Sequence, residues 1–199
     1  MSAAFGRDAL LDAFDQIGRA AVLAGTKLQI AVYGGSALML ASNFRFATED
    51  VDVSELEHPL PGWLAAVVHE IAKQNHWQDD WFNDGVIFHL SSLADSAADH
   101  LEFGTFPRDG TPPGLVVSVP SAEYLLALKA ARVMDPLRGE TERLDILNLM
   151  QVVGISTVEE AIALLGRYFP VSAASAEKQR FLLKNMNREG GVDAPKYPR

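Results

Sequence analysis

The chain contains no cysteine, and that absence closes several routes at once. Disulfide bridges, thiolate catalysis and cysteine-held zinc are excluded. No apolar run approaches the roughly 18 residues that a membrane-spanning helix needs, so no membrane partner is expected. Histidines 58, 69, 76, 89 and 100 lack zinc-ligand spacing such as H-E-x-x-H and read as ordinary surface or core residues. The phosphate loop G-x-x-x-x-G-K-[ST], the dinucleotide fingerprint G-x-G-x-x-G and the nucleophile elbow G-x-S-x-G are also missing.

Positive charge is scarce, with 17 Lys and Arg against 26 Asp and Glu, a net −9. A surface that binds long nucleic acid throughout is usually basic. Residues 170–199 nevertheless carry a net +3, which leaves −12 on residues 1–169. Any nucleic-acid contact is thereby confined to the C-terminal stretch, with Lys178, Arg180, Lys184 and Arg188. The competing reading of that stretch is a solvated helix with a loose end. The first residues, MSAAFGRDALLDAF, already carry acids and do not read as a secretion signal, so a cytoplasmic location is the expectation.

What is present is an ordinary globular composition, 48% apolar and 22% charged, in a chain long enough for one core with a helical annex. Apolar spacing predicts a helix over 5–24, a buried strand over Lys27–Tyr33 and a short helix over Ser36–Ser42. A short strand Asp50–Val53, a helix Trp63–Asn75 and strands at Val86–Leu90 and Leu115–Val119 follow. Positions 91–114 read as loop with a strand near Leu101–Phe103. Beyond Pro120 the pattern becomes wholly helical: Ala122–Met134 with Ser121 as N-cap, Glu140–Val153, Val158–Tyr168 behind a Thr157–Glu160 capping box, and Ala174–Asn187. The division is 1–119 as an α/β core, 120–188 as a helical region and 189–199 as a tail.

The chemistry concentrates in Val32–Val53, VYGGSALMLASNFRFATEDVDV. Asp50 and Asp52 stand two apart, a spacing that turns both carboxylates to one face of a strand. Two acids with substrate phosphates suffice for Mg²⁺, an oxygen-seeking ion that keeps several waters. Gly34 and Gly35 let backbone come close to phosphate, and the amides of the following helix start with the Ser36 hydroxyl form a cradle for it. Lys129 lies in an apolar helix and either snorkels or pairs with an acid, for which Asp145 on the next helix is the natural partner. Arg132 shares its helix face.

The order strand, Gly34-Gly35-Ser36, helix, Arg45 to Thr48, Asp50-Val51-Asp52 resembles the minimal nucleotidyltransferases of the DNA polymerase β type. More narrowly, the chain resembles the AbiEii/MenT toxin group and related bacterial proteins. Trp81-Phe82-Asn83-Asp84, VVSVPSAEYLLAL over 116–128, Lys129-Ala130-Ala131-Arg132, Asp145-Ile146 and Gly154-Ile155-Ser156 carry that likeness over roughly residues 28–170. The resemblance implies an α+β fold, a small mixed β-sheet nucleotidyltransferase core flanked by helices and followed by a C-terminal helical bundle. It implies Mg²⁺ on Asp50 and Asp52, and nucleotide phosphate at Gly35 and Ser36, with Arg45, Thr48 and Arg132 beside it. Lys129 would reach the triphosphate, supported by Asp145. The reaction implied is transfer of a nucleotidyl unit from an NTP to a tRNA or protein acceptor, by the toxin of a toxin–antitoxin pair with a cognate antitoxin as partner. The substrate is expected in a cleft between the two halves.

Two departures define the alternative. A third carboxylate, which many of these enzymes place on a later strand, has only Asp84, Asp95 and Glu102 as candidates. The stretch around Met134-Asp135-Pro136 lacks the Arg- and Asp-rich character of the group. The rival expectation is a nucleotidyltransferase fold without catalysis, working as a binding or regulatory module. Independently of that choice, Lys129–Asp145 also reads as a structural ion pair.

Overall fold

Apolar strands of five and six residues form the core of one compact unit, as seen in a computed structural model that describes residues 4–56, 60–132, 139–170, 173–186 and 197. In chain order the first elements are β1 (Phe5–Gly6), α1 (Arg7–Leu23), β2 (Leu28–Val32), α2 (Gly34–Ala41) and β3 (Ala47–Thr48). Then come β4 (Val51–Glu55), α3 (Gly62–Asn75), β5 (Phe82–Asn83), β6 (His100–Phe106) and β7 (Leu115–Pro120). The remaining chain is helical: α4 (Ala122–Arg132), α5 (Gly139–Val153), α6 (Val158–Tyr168) and α7 (Ala173–Met186). The fold is α+β, a mixed sheet flanked by helices followed by a helical bundle.

The five-stranded sheet runs β5-β4-β2-β7-β6, with β2–β7 and β4–β5 parallel and the other two pairs antiparallel. Strands β2 and β7 sit inside it, which explains their unbroken apolar character. Ile30, Val32, Leu115 and Val117 are at most 1% exposed. Strand β4 alternates instead: Val51 and Val53 are fully buried, whereas Asp52 between them is half-buried. A second small sheet pairs β1 with β3, Phe5 opposite Thr48.

Helix α1 crosses the β6–β7 hairpin at very close range. A Cβ on Gly18 would lie 2.5 Å from the Phe106 carbonyl oxygen, and one on Gly114 would lie 2.1 Å from that of Gly18. Only glycine at both positions permits that approach. Arg108, in the hairpin turn, clamps the helix by donating to Asp15 at 2.8 Å and to Asp12 at 2.6 Å. Hydrogen bonding to Asp15 pushes the guanidinium pKa up against the opposing effect of burial.

Two strand readings need correction. Val86–Leu90 forms no strand; Gly85–His89 is a 3₁₀ turn. The Asn83 side chain accepts from the Gly85 amide at 3.0 Å and starts the turn, a local asparagine bond that competes with a ladder. Only Val86 is buried there, while Phe88 is 89% exposed. Conversely, β6 extends through Phe106, because it pairs along its length with β7 across an irregularity between Glu102 and Gly104.

The chain forms two compact units. The first holds the described residues up to Ala41, with Arg45–Phe88 and His100–Pro120. The second holds Ser42–Phe44, His89–Asp99 and the described residues after Pro120. Within the second, α4 packs on α5 and α6, and α7 on α6. The segment 89–99 joins it through polar staples: Tyr168 Oη donates to Asp99 at 2.6 Å, and Tyr124 Oη accepts from the Ser91 amide at 3.0 Å. Burial raises the pKa of both phenols. The predicted caps are present: Ser121 Oγ accepts from the Tyr124 amide, and Thr157 with Glu160 forms a complete capping box.

Candidate functional site

Seven of the singled-out residues gather in the first unit, at the joint between β2, α2 and β4. The chain leaves β2 through Gly34, whose φ of +65° is the left-handed region that favours glycine. Helix α2 starts there, with Ala37 N donating to Tyr33 O at 3.1 Å. Strand β4 is pinned beside it by Tyr33 N donating to Asp52 O at 2.9 Å, and on its other edge by Val51 N donating to Trp81 O at 2.5 Å.

The carboxylate of Asp52 stands directly over the glycine turn. A Cβ on Gly34 would lie 2.9 Å from Asp52 Oδ2, so a side chain there would displace the acid. Gly35 faces the loop that precedes β4. A Cβ on it would lie 3.6 Å from Thr48 Oγ1 and 3.9 Å from the Arg45 guanidinium carbon. Asp50 lies immediately before β4 and is exposed. Its carbonyl accepts from Ser36 Oγ at 2.5 Å and from Thr48 Oγ1 at 3.0 Å. Thr48 Oγ1 also lies 3.4 Å from Asp50 Oδ1. Ser36 is therefore a buried post that fixes the Asp50 backbone, 1% exposed, and its hydroxyl is already engaged. Two hard carboxylates beside backbone stripped of side chains suit an oxygen-liganded cation and an anion together.

The remaining three lie in the second unit, on α4 and α5. Lys129 is 6% exposed, and its Nζ lies 3.0 Å from Asp145 Oδ2 and 3.1 Å from Glu142 Oε1. Asp145 is 2% exposed. The pairing of Lys129 with Asp145 is the one expected from sequence; Glu142 is the partner missed. It stands one turn before Asp145 on the same helix face, a spacing of three that is visible once the helix is drawn. Arg132 is half-buried one turn beyond Lys129.

The candidates for a third carboxylate occupy different places. Asn83 pairs with Asp52 across the β4–β5 ladder, and Asp84 follows it, exposed. Glu102 is on β6, at the far edge of the sheet from β5. Asp95 belongs to the second unit, where its carboxylate accepts from the amides of Ala97 and Ala98. Among the described residues no group of three or more His, Asp or Glu side chains is arranged to hold a metal ion. Trp81, in the segment next to Asn83, is core: it is fully buried, donates to Val68 O at 3.1 Å, and packs on Phe5 and Trp77. Met134, Asp135, Pro136 and Arg188 lie outside the described residues.

Comparison with protein-family models, with curated proteins and with solved structures gives no match.

Proposed function

We propose that the chain is a Mg²⁺-dependent nucleotidyltransferase that moves a nucleotidyl unit from an NTP to a tRNA or protein acceptor, as the toxin of a toxin–antitoxin pair. The observation that carries this reading is the Asp52 carboxylate standing over the positive-φ Gly34, at the start of α2, with Asp50 held beside it by Ser36 and Thr48. The toxin role, the antitoxin and the acceptor rest on the family resemblance alone.

In this reading Asp50 and Asp52 would hold the ion, which would supply positive charge against the phosphate and the attacking oxygen. The side-chain-free Gly34-Gly35 backbone and the start of α2 receive phosphate oxygens, and Arg45 adds a cation over Gly35. An acceptor hydroxyl attacks the α-phosphorus; a new P–O bond forms as the bond to the β-phosphate breaks. Pyrophosphate leaves, and the hydroxyl proton passes to water. Positioning and electrostatics supply the acceleration. We assign Lys129 to holding α4 against α5, because Glu142 and Asp145 already balance its charge.

The lack of a three-residue ligand group among the described residues favours a second reading, a binding module that kept the fold without the chemistry. Incubation with α-labelled and γ-labelled NTPs, Mg²⁺ and total tRNA or a protein extract separates the two. The enzyme transfers the α-label and not the γ-label, and Asp50→Ala/Asp52→Ala abolishes the transfer. Absence of any acid-dependent transfer with all four NTPs would leave the binding module.

A further inference from the structure

The first unit contains a cavity of about 390 Å³ off the β5 edge of the sheet, at the small end of the range for small-molecule sites. Its walls are Leu60, Leu64 and Phe82, and its polar groups are Asp79, Asn83 and Asp84. The polar rim is acceptor-rich. His69 Nδ1 lies 3.1 Å from Asp79 Oδ1. Asn83 is fixed by its bond from the Gly85 amide. Acidic acceptors over apolar walls repel phosphate and favour a flat apolar ring that donates hydrogen bonds from one edge.

The sheet joins this cavity to the acids. Asn83 lies in register with Asp52 on the neighbouring strand, and strands in a ladder stand roughly 4.8 Å apart. A ribose is the link that would join a phosphate at Asp52 to a ring in the cavity. We propose that the cavity beside β5 is the nucleobase pocket of the site, reading the donor edge of the base with Asp79 and Asp84. This deepens, and rests on, the nucleotidyltransferase reading above. Guanine presents two coplanar donors, N1–H and N2–H, to a carboxylate. Adenine and cytosine present one amino group. Uracil presents a single N–H between two carbonyls that the carboxylates repel. The expected order is GTP first, ATP and CTP next, UTP last.

Calorimetric titration of the four NTPs with Mg²⁺, of magnesium tripolyphosphate and of free guanosine tests this. Ala65 lines the cavity from an exposed position on α3, so Ala65→Trp fills it; Asp84→Asn removes one acceptor charge from an exposed site. Wild type is expected to bind GTP about tenfold tighter than UTP, the scale of one good bidentate base contact. Both variants should bring GTP to the UTP level and leave tripolyphosphate affinity unchanged. Equal affinity for all four NTPs, or a folded Ala65→Trp that keeps the GTP preference, overturns the pocket. Should Ala65→Trp fail to fold, Asp84→Asn alone decides, with retention of the preference counting against the pocket. Guanosine binding that Ala65→Trp removes, with no tripolyphosphate binding, would contradict the phosphate site and support the cavity. No binding of any of these ligands sinks both.

Discussion

At the scale of single residues, the site is a matter of what glycine leaves room for. Gly34→Ala places a methyl group 2.9 Å from Asp52 Oδ2 at a φ of +65°. It should cost about 1–3 kcal/mol in urea denaturation, the usual strain of a non-glycine residue there, and reduce Mg²⁺–NTP affinity through the displaced acid. Lys129→Ala removes the cation that lies 3.0 Å from Asp145 Oδ2, a carboxylate 2% exposed. Removal of one partner from a buried pair costs about 3–5 kcal/mol. The triple change Lys129→Met/Glu142→Gln/Asp145→Asn should recover most of that loss, since the residues act as one group; a triple variant less stable than Lys129→Ala would contradict the ion-pair assignment. The glycine turn and the Lys129–Asp145 pairing were legible from spacing and residue type, whereas the strand expected to carry both acids starts at Val51 and leaves Asp50 in the loop before it. The position of Asp52 over Gly34 was not legible, because it depends on the β2–β4 register. Nor was the bond from the Ser36 hydroxyl to the Asp50 carbonyl.

At the scale of elements, helices with caps were the most legible parts and segments closed by distant partners the least. Val158–Tyr168 matches its predicted span because Thr157 and Glu160 mark its start locally. Thr157→Ala should cost about 1 kcal/mol. The Ser156 and Thr157 amides hold the Glu160 carboxyl below the usual glutamate range. A carboxyl with a depressed folded-state pKa stabilises the fold above its unfolded pKa, and that contribution disappears as pH falls through the folded value. Urea midpoints at pH 7 and at pH 3 should therefore differ less in Glu160→Gln than in wild type; an equal difference would contradict the capping role. Residues 91–99 read as loop, and the anchors that join them to the second unit, Tyr124 and Tyr168, lie far along the chain. Helix α1 on the β6–β7 hairpin has the same non-local origin. Gly18→Ala puts a Cβ 2.5 Å from the Phe106 carbonyl oxygen, and overpacking of that kind costs about 1–3 kcal/mol, readable as a lower thermal midpoint.

At the scale of the whole molecule, charge and composition set limits that the fold respects. Against a net charge of −9, residues 170–199 are the stretch with an excess of positive charge. There Arg180 lies 2.6 Å from Glu177 and Lys184 lies 4.0 Å from Glu159, which tempers the basic face of α7. A tRNA acceptor would gain little electrostatic attraction from such a surface. The α/β character of the first half and the helical run after Pro120 followed from apolar periodicity, and the mixed sheet from the family resemblance. The strand order and the cavity beside β5 did not, because short edge strands carry almost no periodic signal. The central claim is that Asp50 and Asp52 hold a metal–nucleotide complex against the Gly34-Gly35 turn. Its most direct test is calorimetric titration of NTP with and without Mg²⁺, on wild type and on Asp50→Asn/Asp52→Asn. The account predicts affinity that falls at least about tenfold when Mg²⁺ is chelated or both acids are neutralised, the scale of one lost charge-assisted contact. Affinity unchanged by chelation and by the double substitution would contradict it.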